Sequence, residues 1–192
     1  MNDRIKKTFE LIGANKKNIL DIGCNEGILA KNMAEIGHRV VGIDISQRAI
    51  NEAKKFESSN LKFICGNVLT YDFPQKFDII TLMETLEHLP NPTEYIKKIY
   101  DLLDDNGYFI LSVPNAIGLC NILYNWKHTF DYKKLVEQKF DVETESSHIN
   151  SFDRITLYRL LWMNGFELIE EKESFKFNPF IYQSLIMKLK KR

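Results

Sequence analysis

The sequence predicts a doubly wound α/β fold, in which helices cover both faces of a mostly parallel β-sheet. Two observations predict it. First, short apolar segments alternate with helix-like amphipathic segments over residues 1–113, and this alternation is typical of parallel strands joined by right-handed crossovers. Second, the strand segments are apolar throughout rather than at every other position, which indicates a sheet buried on both faces.

Each element has its own signal. Ile5, Phe9 and Ile12 lie at helical spacing before Gly13, and Ser46 is a good N-cap for a helix. The predicted helices span residues 2–13, 27–37, 92–103 and 153–164, and a further helix begins at residue 46. The predicted strands span residues 18–22, 39–44, 61–65, 77–82, 108–113, 166–171 and 183–190.

The pattern breaks down between Pro114 and Ser151, where aromatic and then acidic residues predominate. A break of this length inside a compact domain is usually functional or mobile. Tyr124, Trp126 and Phe130 are candidates for the wall of an apolar or ring-shaped ligand site. They suit a small satellite core under a long loop equally well.

Composition and the absence of certain segments disfavour several classes of protein. The 192 residues suit a single domain, with 26 basic and 26 acidic side chains giving a formal net charge of zero. This balance disfavours a nucleic-acid partner. Three scattered cysteines, no apolar export signal and no apolar run near the ~20 residues of a transmembrane helix predict a cytoplasmic protein.

The turn after the first strand is the strongest candidate for a ligand site. Gly23 and Gly27 lie between that strand and the next helix, and Asp44 ends the second strand. Glycines let a backbone approach a ligand closely, and a carboxylate at this place can accept hydrogen bonds from ribose hydroxyls. The alternative is that both glycines serve only tight packing, while Asp44 caps the helix that begins near Ser46.

A dinucleotide site would require Gly-x-Gly-x-x-Gly from residue 23 onwards. The chain has Asn25 and Ile28 at the second and third glycine positions. A nicotinamide-dependent oxidoreductase is therefore disfavoured.

Five ordered segments resemble the class I S-adenosylmethionine-dependent methyltransferases, and in style the branch that contains the ubiquinone-biosynthesis O-methyltransferases. They are ILDIGCNEG (19–27), VVGIDIS (40–46), FDIITLMETLEHLPNP (77–92), LLDDNGYFILSVPN (102–115) and HINSFDRITLYRLLWMNGFELIE (148–170). The resemblance implies one Rossmann-like domain over residues 1–192, with a substrate lid inserted at about 114–150. It also implies seven strands in the order 3-2-1-4-5-7-6, the last of them antiparallel.

The resemblance also assigns S-adenosylmethionine as the cofactor and gives roles to individual residues. Gly23 and its neighbours would face the methionine part, Asp44 the ribose, Ile45 the adenine, and Met83 the reacting sulfonium. Asn67 stands where the family often has an acidic residue that contacts the adenine amino group. The full set of cofactor-binding candidates is Asp21, Gly23, Cys24, Asn25, Gly27, Asp44, Ile45, Asn67, Val68 and Met83.

Glu84, Glu87 and His88 follow the fourth strand, and a helix beginning there would place them on one face. With His148 they resemble the set that holds a divalent cation such as Mg²⁺, Mn²⁺ or Zn²⁺ in metal-assisted O-methyltransferases. The alternative is that the two glutamates only favour a helix N-terminus. In a reaction without metal, His88 and His148 are the available bases for a hydroxyl acceptor.

The resemblance, together with these residues, predicts methyl transfer to a small-molecule or lipid-linked acceptor. The chain's likeness to the ubiquinone-biosynthesis branch favours an oxygen atom as the atom that receives the methyl group. A non-catalytic subunit or regulator that binds S-adenosylmethionine is the second hypothesis. The basic C-terminus, residues 184–192, suits either a membrane-touching helix or the last strand of the sheet. We expect the strand, with its lysines in solvent, and leave weak contact with a membrane surface open.

Overall fold

A computed structural model describes residues 3–116, 149–175 and 182–192. Its helices and strands, in chain order, are α1 (Asp3–Ile12), β1 (Asn18–Ile22), α2 (Ile28–Glu35), β2 (Arg39–Asp44), α3 (Gln47–Ala53), a 3₁₀ turn (Lys54–Phe56), β3 (Leu61–Cys65), β4 (Phe77–Met83), a second 3₁₀ turn (Leu86–His88), α4 (Pro92–Leu102), β5 (Leu103–Pro114), α5 (Arg154–Met163), β6 (Phe166–Phe175) and β7 (Tyr182–Lys191).

The seven strands form one sheet in the order β3-β2-β1-β4-β5-β7-β6. β1 to β5 pair in parallel, and β7 pairs antiparallel with both β5 and β6. The predicted doubly wound α/β fold and its strand order are confirmed. Residues 117–148, which contain most of the predicted lid with Tyr124, Trp126 and Phe130, lie outside the described residues.

The core lies on both faces of the sheet. Ile19 and Leu20, consecutive residues of β1, are completely buried and belong to two separate apolar clusters. Consecutive strand residues point to opposite faces, so each face has a core of its own. This is the physical origin of the continuously apolar strands.

The largest difference from prediction lies at the start of β5. The strand begins at Leu103 rather than at the predicted Tyr108, and Asp105, Asn106 and Gly107, which are typical of a turn, fall within it. Phe77 pairs with Leu103 and Ile79 already pairs with Tyr108, so the residues between Leu103 and Tyr108 bulge out of the ladder. A bulge adds residues to one strand without ending the pairing, which is why turn-forming residues occur here inside a strand.

The C-terminal residues form β7, which lies between β5 and β6 as the strand interpretation predicts. Two of its three lysines, Lys188 and Lys191, are less solvated than expected, whereas Lys190 is exposed. Lys188 donates to the carbonyl of Leu11 at 2.8 Å, and Lys191 donates to the carbonyl of Leu103 at 2.7 Å. None of the helices in the described part of the chain combines the length and apolar character that crossing a bilayer requires.

Ser46 caps α3 as predicted, because its hydroxyl accepts a hydrogen bond from the backbone N–H of Ala49 at 3.3 Å. Ser46→Ala should cost about 1 kcal/mol of folding free energy. In a protein of this size that corresponds to a loss of about 2–4 °C in Tm. Thermal denaturation followed by circular dichroism measures it. Ser46→Asn, which keeps a capping oxygen, is the matched control, and equal losses in both variants would contradict the capping role.

Candidate functional site

The site lies at the carboxyl ends of the parallel strands, on either side of β1. Ile22 at the end of β1 is level with Ile43 of β2 and Leu82 of β4, and Asp44 is level with Cys65 of β3. The chain order of the strands reverses here, since β2 and β3 extend to one side of β1 while β4 and β5 extend to the other. In open α/β sheets the crevice at such a reversal is where ligands bind.

The loop after β1 has an unusual backbone. Gly23, Asn25 and Gly27 all have positive φ values, of 69°, 48° and 79°. The N–H of Gly23 donates to the carbonyl of Ile43 at 2.8 Å, which fastens the loop to β2. Gly27 is the N-cap of α2 and supplies no side-chain cap. The first N–H groups of α2 are thus not capped by that residue and can serve a polar ligand.

Both glycines also satisfy the packing interpretation. A Cβ atom on Gly23 would lie 2.5 Å from the Thr85 hydroxyl oxygen, and one on Gly27 would lie 2.6 Å from the ring of Phe63 and 2.9 Å from Cβ of Ala53. At these two positions other atoms of the protein leave no room for a side chain. Tight packing and the shape of the loop are therefore one requirement rather than two competing explanations.

Asp44 is held in place by the loops on either side of it. Its Oδ2 accepts a hydrogen bond from the backbone N–H of Asn25 at 2.9 Å, and its Oδ1 accepts one from the N–H of Ser46 at 2.9 Å. The side chain is half-buried. A carboxylate oxygen can accept two hydrogen bonds, so each oxygen retains capacity for one more donor. This arrangement suits a pair of ribose hydroxyls.

The residues that follow β2 and β3 differ in what they present to a ligand. Ile45 is 56% exposed beside Asp44, an apolar surface suited to a nucleobase. Asn67 is exposed, and its Oδ1 accepts from the N–H of Leu69 at 2.9 Å, which shapes its own loop. Val68 is 4% exposed and belongs to the apolar core. The Val68 side chain therefore cannot reach a cofactor, and only the backbone of this residue is available for contact.

Asp21 is a carboxyl group in an apolar interior. It is 2% exposed, and its Oδ1 accepts a hydrogen bond from the Thr81 hydroxyl at 2.6 Å. Its Oδ2 has no hydrogen-bond partner within the described ranges. Burial, with a smaller contribution from the Asp44 carboxylate, raises the pKa of Asp21 to about 7. Burial also raises the pKa of the neighbouring Cys24 thiol, so that side chain contributes packing rather than a reactive thiolate.

Glu84 follows Met83, which is half-buried at the end of β4. Glu84 has a φ of 50°, and its backbone N–H donates to the carbonyl of Ser112 at 2.9 Å. Its carboxylate accepts from the Ser112 hydroxyl at 2.7 Å and pairs with Arg4 of α1 at 3.1 Å. These contacts engage both carboxylate oxygens within the protein.

Glu87 and His88 lie on the short 3₁₀ turn Leu86–His88 rather than in an α-helix that includes Glu84, so the α-helical spacing assumed for this cluster does not occur. Glu87 is 2% exposed, and burial, followed by the Glu84 charge, raises its pKa to about 8. No three His, Cys, Asp or Glu side chains within residues 3–116, 149–175 and 182–192 lie close enough to hold a metal ion. His148 lies outside those ranges, so a metal set that includes it stays a prediction.

Ile149 and Asn150, the first described residues after position 148, lie beside this turn. The carbonyl of Glu87 accepts hydrogen bonds from the N–H groups of Ile149 and Asn150, both at 2.9 Å, and the Asn150 amide donates to the carbonyl of Leu89 at 2.7 Å. The chain therefore re-enters the described structure at the same edge of the sheet as the site.

Sequence reasoning did not single out Thr81, Thr85, Ser112 or Arg4 as parts of the site. Thr81 had a usable signal, since it is a hydroxyl residue inside an apolar strand. Arg4 had none, because 80 positions of chain separate it from Glu84 and only the tertiary fold joins them.

A family model described as "Methyltransferase domain" matches residues 1–171 of the chain. Among curated proteins, the ubiquinone biosynthesis O-methyltransferase of Glaesserella parasuis is 42% identical over 126 residues, which are 61% of this chain and 52% of that protein. The mitochondrial protein of the same name from Schizosaccharomyces pombe is 37% identical over 113 residues, 56% of this chain and 41% of that protein. The chain thus spans about half the length of these relatives.

Solved structures share the fold at low sequence identity. Magnesium protoporphyrin IX methyltransferase from Synechocystis, with bound S-adenosylhomocysteine, superposes with a TM-score of 0.74 at 17% identity, covering 98% of this chain and 80% of that one. The N-methyltransferase NodS from Bradyrhizobium japonicum gives a TM-score of 0.71 at 17% identity, covering 98% and 94%. The comparisons offer no support for the non-catalytic alternative.

Proposed function

This chain belongs to the methyltransferase domain family, and from that premise we propose that it transfers a methyl group from S-adenosylmethionine to an oxygen atom of a small-molecule acceptor. The observation that carries the proposal is the Asp44 carboxylate. Two backbone N–H groups orient it at the end of β2, beside a glycine loop of fitting shape. The oxygen preference is supported by the names of the curated relatives, which the chain matches over about half their length.

The residues present fit this cofactor. Asp44 would accept the ribose hydroxyls, exposed Ile45 would contact the adenine, and Asp21 with the loop at 23–27 would lie at the methionine part. Asn67 would face the adenine edge, and half-buried Met83 would line the place of the sulfonium. When bound, the cofactor supplies a methyl group on a positively charged sulfur, which is reactive without further activation by the protein.

The protein's own contribution is to position the acceptor and to remove its proton. An in-line displacement depends strongly on alignment, so a rigid site at the strand ends supplies much of the rate. A hydroxyl acceptor must also lose a proton, and we propose His88, on the turn after β4, as the base. His148 remains a second candidate.

We propose no step through a metal ion. In the acid–histidine cluster of Glu84, Glu87, His88 and His148, the Glu84 carboxylate is engaged by Arg4 and Ser112. Glu87 is buried, and neither of its carboxylate oxygens has a partner among the described residues, but no three His, Cys, Asp or Glu side chains of that part of the chain come together as a metal site. Turnover should therefore persist after treatment with a chelator and should not rise with added Mg²⁺. A loss on chelation that Mg²⁺, Mn²⁺ or Zn²⁺ reverses would restore the metal hypothesis.

The test has two stages. Calorimetric titration with S-adenosylhomocysteine should show one site per chain, and NAD should not bind. Methyl transfer from labelled S-adenosylmethionine is then screened against hydroxylated aromatic compounds with and without a long apolar tail, which separates small from lipid-linked acceptors. Failure to bind either form of the cofactor would contradict the proposal.

A further inference from the structure

Only one of the two oxygens of the buried Asp21 carboxyl group has a hydrogen-bond partner among the described residues. Its Oδ1 contacts the Thr81 hydroxyl at 2.6 Å, and its Oδ2, buried as well, has no partner in the described part of the chain. Leaving an ionised carboxylate in this state is costly, so such a group tends either to carry a proton or to meet a cation. Either a proton or a cationic ligand group can therefore neutralise Asp21 at the end of β1, where the loop at 23–27 begins.

Thr81 can serve either form of Asp21. Its oxygen lies 2.6 Å from Oδ1 of Asp21 and 3.4 Å from the carbonyl oxygen of Leu20. A hydroxyl has one hydrogen to donate and can accept as well. It donates to Asp21 when Asp21 is ionised. When Asp21 is protonated, it accepts from Asp21 and donates to Leu20.

The charges around the pair favour the protonated form in the empty site. Two acidic groups act on Asp21, the Asp44 carboxylate at the end of β2 and the Cys24 thiol in the loop after β1. The hydrogen-bond partner of Asp21 on β4, Thr81, is neutral. No cationic side chain of the described residues acts on Asp21. A positively charged ligand group would reverse this balance, because an opposite charge nearby favours the ionised form.

We propose that Asp21 and Thr81 form a buried proton-holding pair, which loses one proton when a ligand with an α-ammonium group binds beside it. The O–H bond of Asp21 breaks, the proton goes to the solvent buffer, and the Thr81 hydroxyl turns from Leu20 to Asp21. Thr81 is a positioning residue in this scheme. The inference rests on the proposed function, which places the methionine part of the cofactor at this end of β1.

The pH dependence follows with a definite sign. Because the pKa of Asp21 is about 7 in the empty site and falls on binding, proton release is nearly complete at pH 6, about half a proton at pH 7 and small at pH 8. Protons compete with the ligand, so affinity should be about tenfold weaker at pH 6 than at pH 8.

The experiment is calorimetry of the whole chain with S-adenosylhomocysteine at pH 6, 7 and 8, each in two buffers of different ionisation enthalpy, which counts the protons released. 5′-Methylthioadenosine, which has the nucleoside but no α-ammonium group, is the control ligand. We expect release with the first ligand and none with the second. Equal proton counts for the two ligands at pH 6 would overturn the inference and leave the proposed function intact. No binding of S-adenosylhomocysteine at all would remove both.

Three variants separate this role from a merely structural one. Asp21→Asn should abolish proton release and flatten the affinity between pH 6 and pH 8. Thr81→Val removes the donor to the carboxylate, so the midpoint of the affinity curve should move above pH 7, while Thr81→Ser should keep it in place. A change in affinity of the same size at every pH would contradict the proposal.

A measurement without ligand keeps the idea testable if a variant binds poorly. Because the pKa of Asp21 is raised from 3.8 to about 7 in the folded protein, its carboxyl group lowers the stability progressively as the pH rises through this window, and the loss is complete only above pH 7. Asp21→Asn should therefore raise the Tm of the free protein more at pH 8 than at pH 6. An equal shift at both values would show that Asp21 does not exchange a proton in this range.

Discussion

Asp44→Ala is expected to weaken S-adenosylhomocysteine binding by about a hundredfold or more. Two hydrogen bonds from ribose hydroxyls to a carboxylate contribute roughly 1.5–3 kcal/mol each. Each 1.4 kcal/mol is a factor of ten in Kd, so their loss alone reaches this size. The variant also leaves the N–H groups of Asn25 and Ser46 without their acceptor, which loosens the loop that shapes the site.

The measurement is calorimetric titration at pH 8, with Asp101→Ala as the matched control. Asp101 is an exposed aspartate on α4, outside the loops of the site, so its removal should leave Kd unchanged within a factor of two. Circular dichroism establishes that both variants fold. An Asp44→Ala protein that folds and binds as tightly as the control would contradict the assignment of the ribose site.

Gly23→Ala is expected to have the second largest effect, on stability and on binding together. The new Cβ would meet the Thr85 hydroxyl oxygen at 2.5 Å, at a position whose φ is 69°. Left-handed backbone costs a residue other than glycine roughly 1–2 kcal/mol, and overpacking adds about 1–3 kcal/mol. We therefore expect a loss of about 2–5 kcal/mol in the free energy of unfolding, measured with urea. Binding should weaken as the loop moves away from Thr85.

Gly13→Ala is the control for backbone strain. Gly13 has a φ of 79°, and nothing lies within 4 Å of the Cβ it would gain. It should lose only the left-handed cost of about 1–2 kcal/mol. The double change Gly23→Ala with Thr85→Ala removes the clashing hydroxyl and methyl groups and should recover part of the stability. Equal losses for Gly13→Ala and Gly23→Ala would show that Thr85 does not restrict the loop.

Local sequence was sufficient for the elements of the fold because their signals lie within a few residues of one another. The apolar run in β1 and the cap at Ser46 are evident from immediate neighbours, and both occur as predicted. The strand order follows from the family resemblance instead. The bulge at the start of β5 is not evident from the sequence, since residues 105–107 are typical of a turn and only pairing with β4 keeps them in the strand.

The acid–histidine cluster shows why spacing alone could not settle a site. The i, i+3, i+4 rule assumes an α-helix, and the chain instead places Glu84 in a left-handed conformation before a short 3₁₀ turn. The Glu84 carboxylate, which a metal ion would have bound, instead forms an ion pair with Arg4. That ion pair joins residues at opposite ends of a long stretch of chain, so no local pattern contains it.

The fold class, the glycine loop and the carboxylate at Asp44 are all evident in the amino-acid sequence, because strand ends and turns depend on nearby residues. Which of these groups are paired, buried or charged depends on the packing of distant segments. Asp44 is oriented by two backbone donors, whereas Asp21, from the same kind of strand end, is enclosed beside Thr81 with one oxygen unpaired among the described residues. The physical reason is that a pKa depends on burial and on neighbouring charges, and packing from several elements sets both.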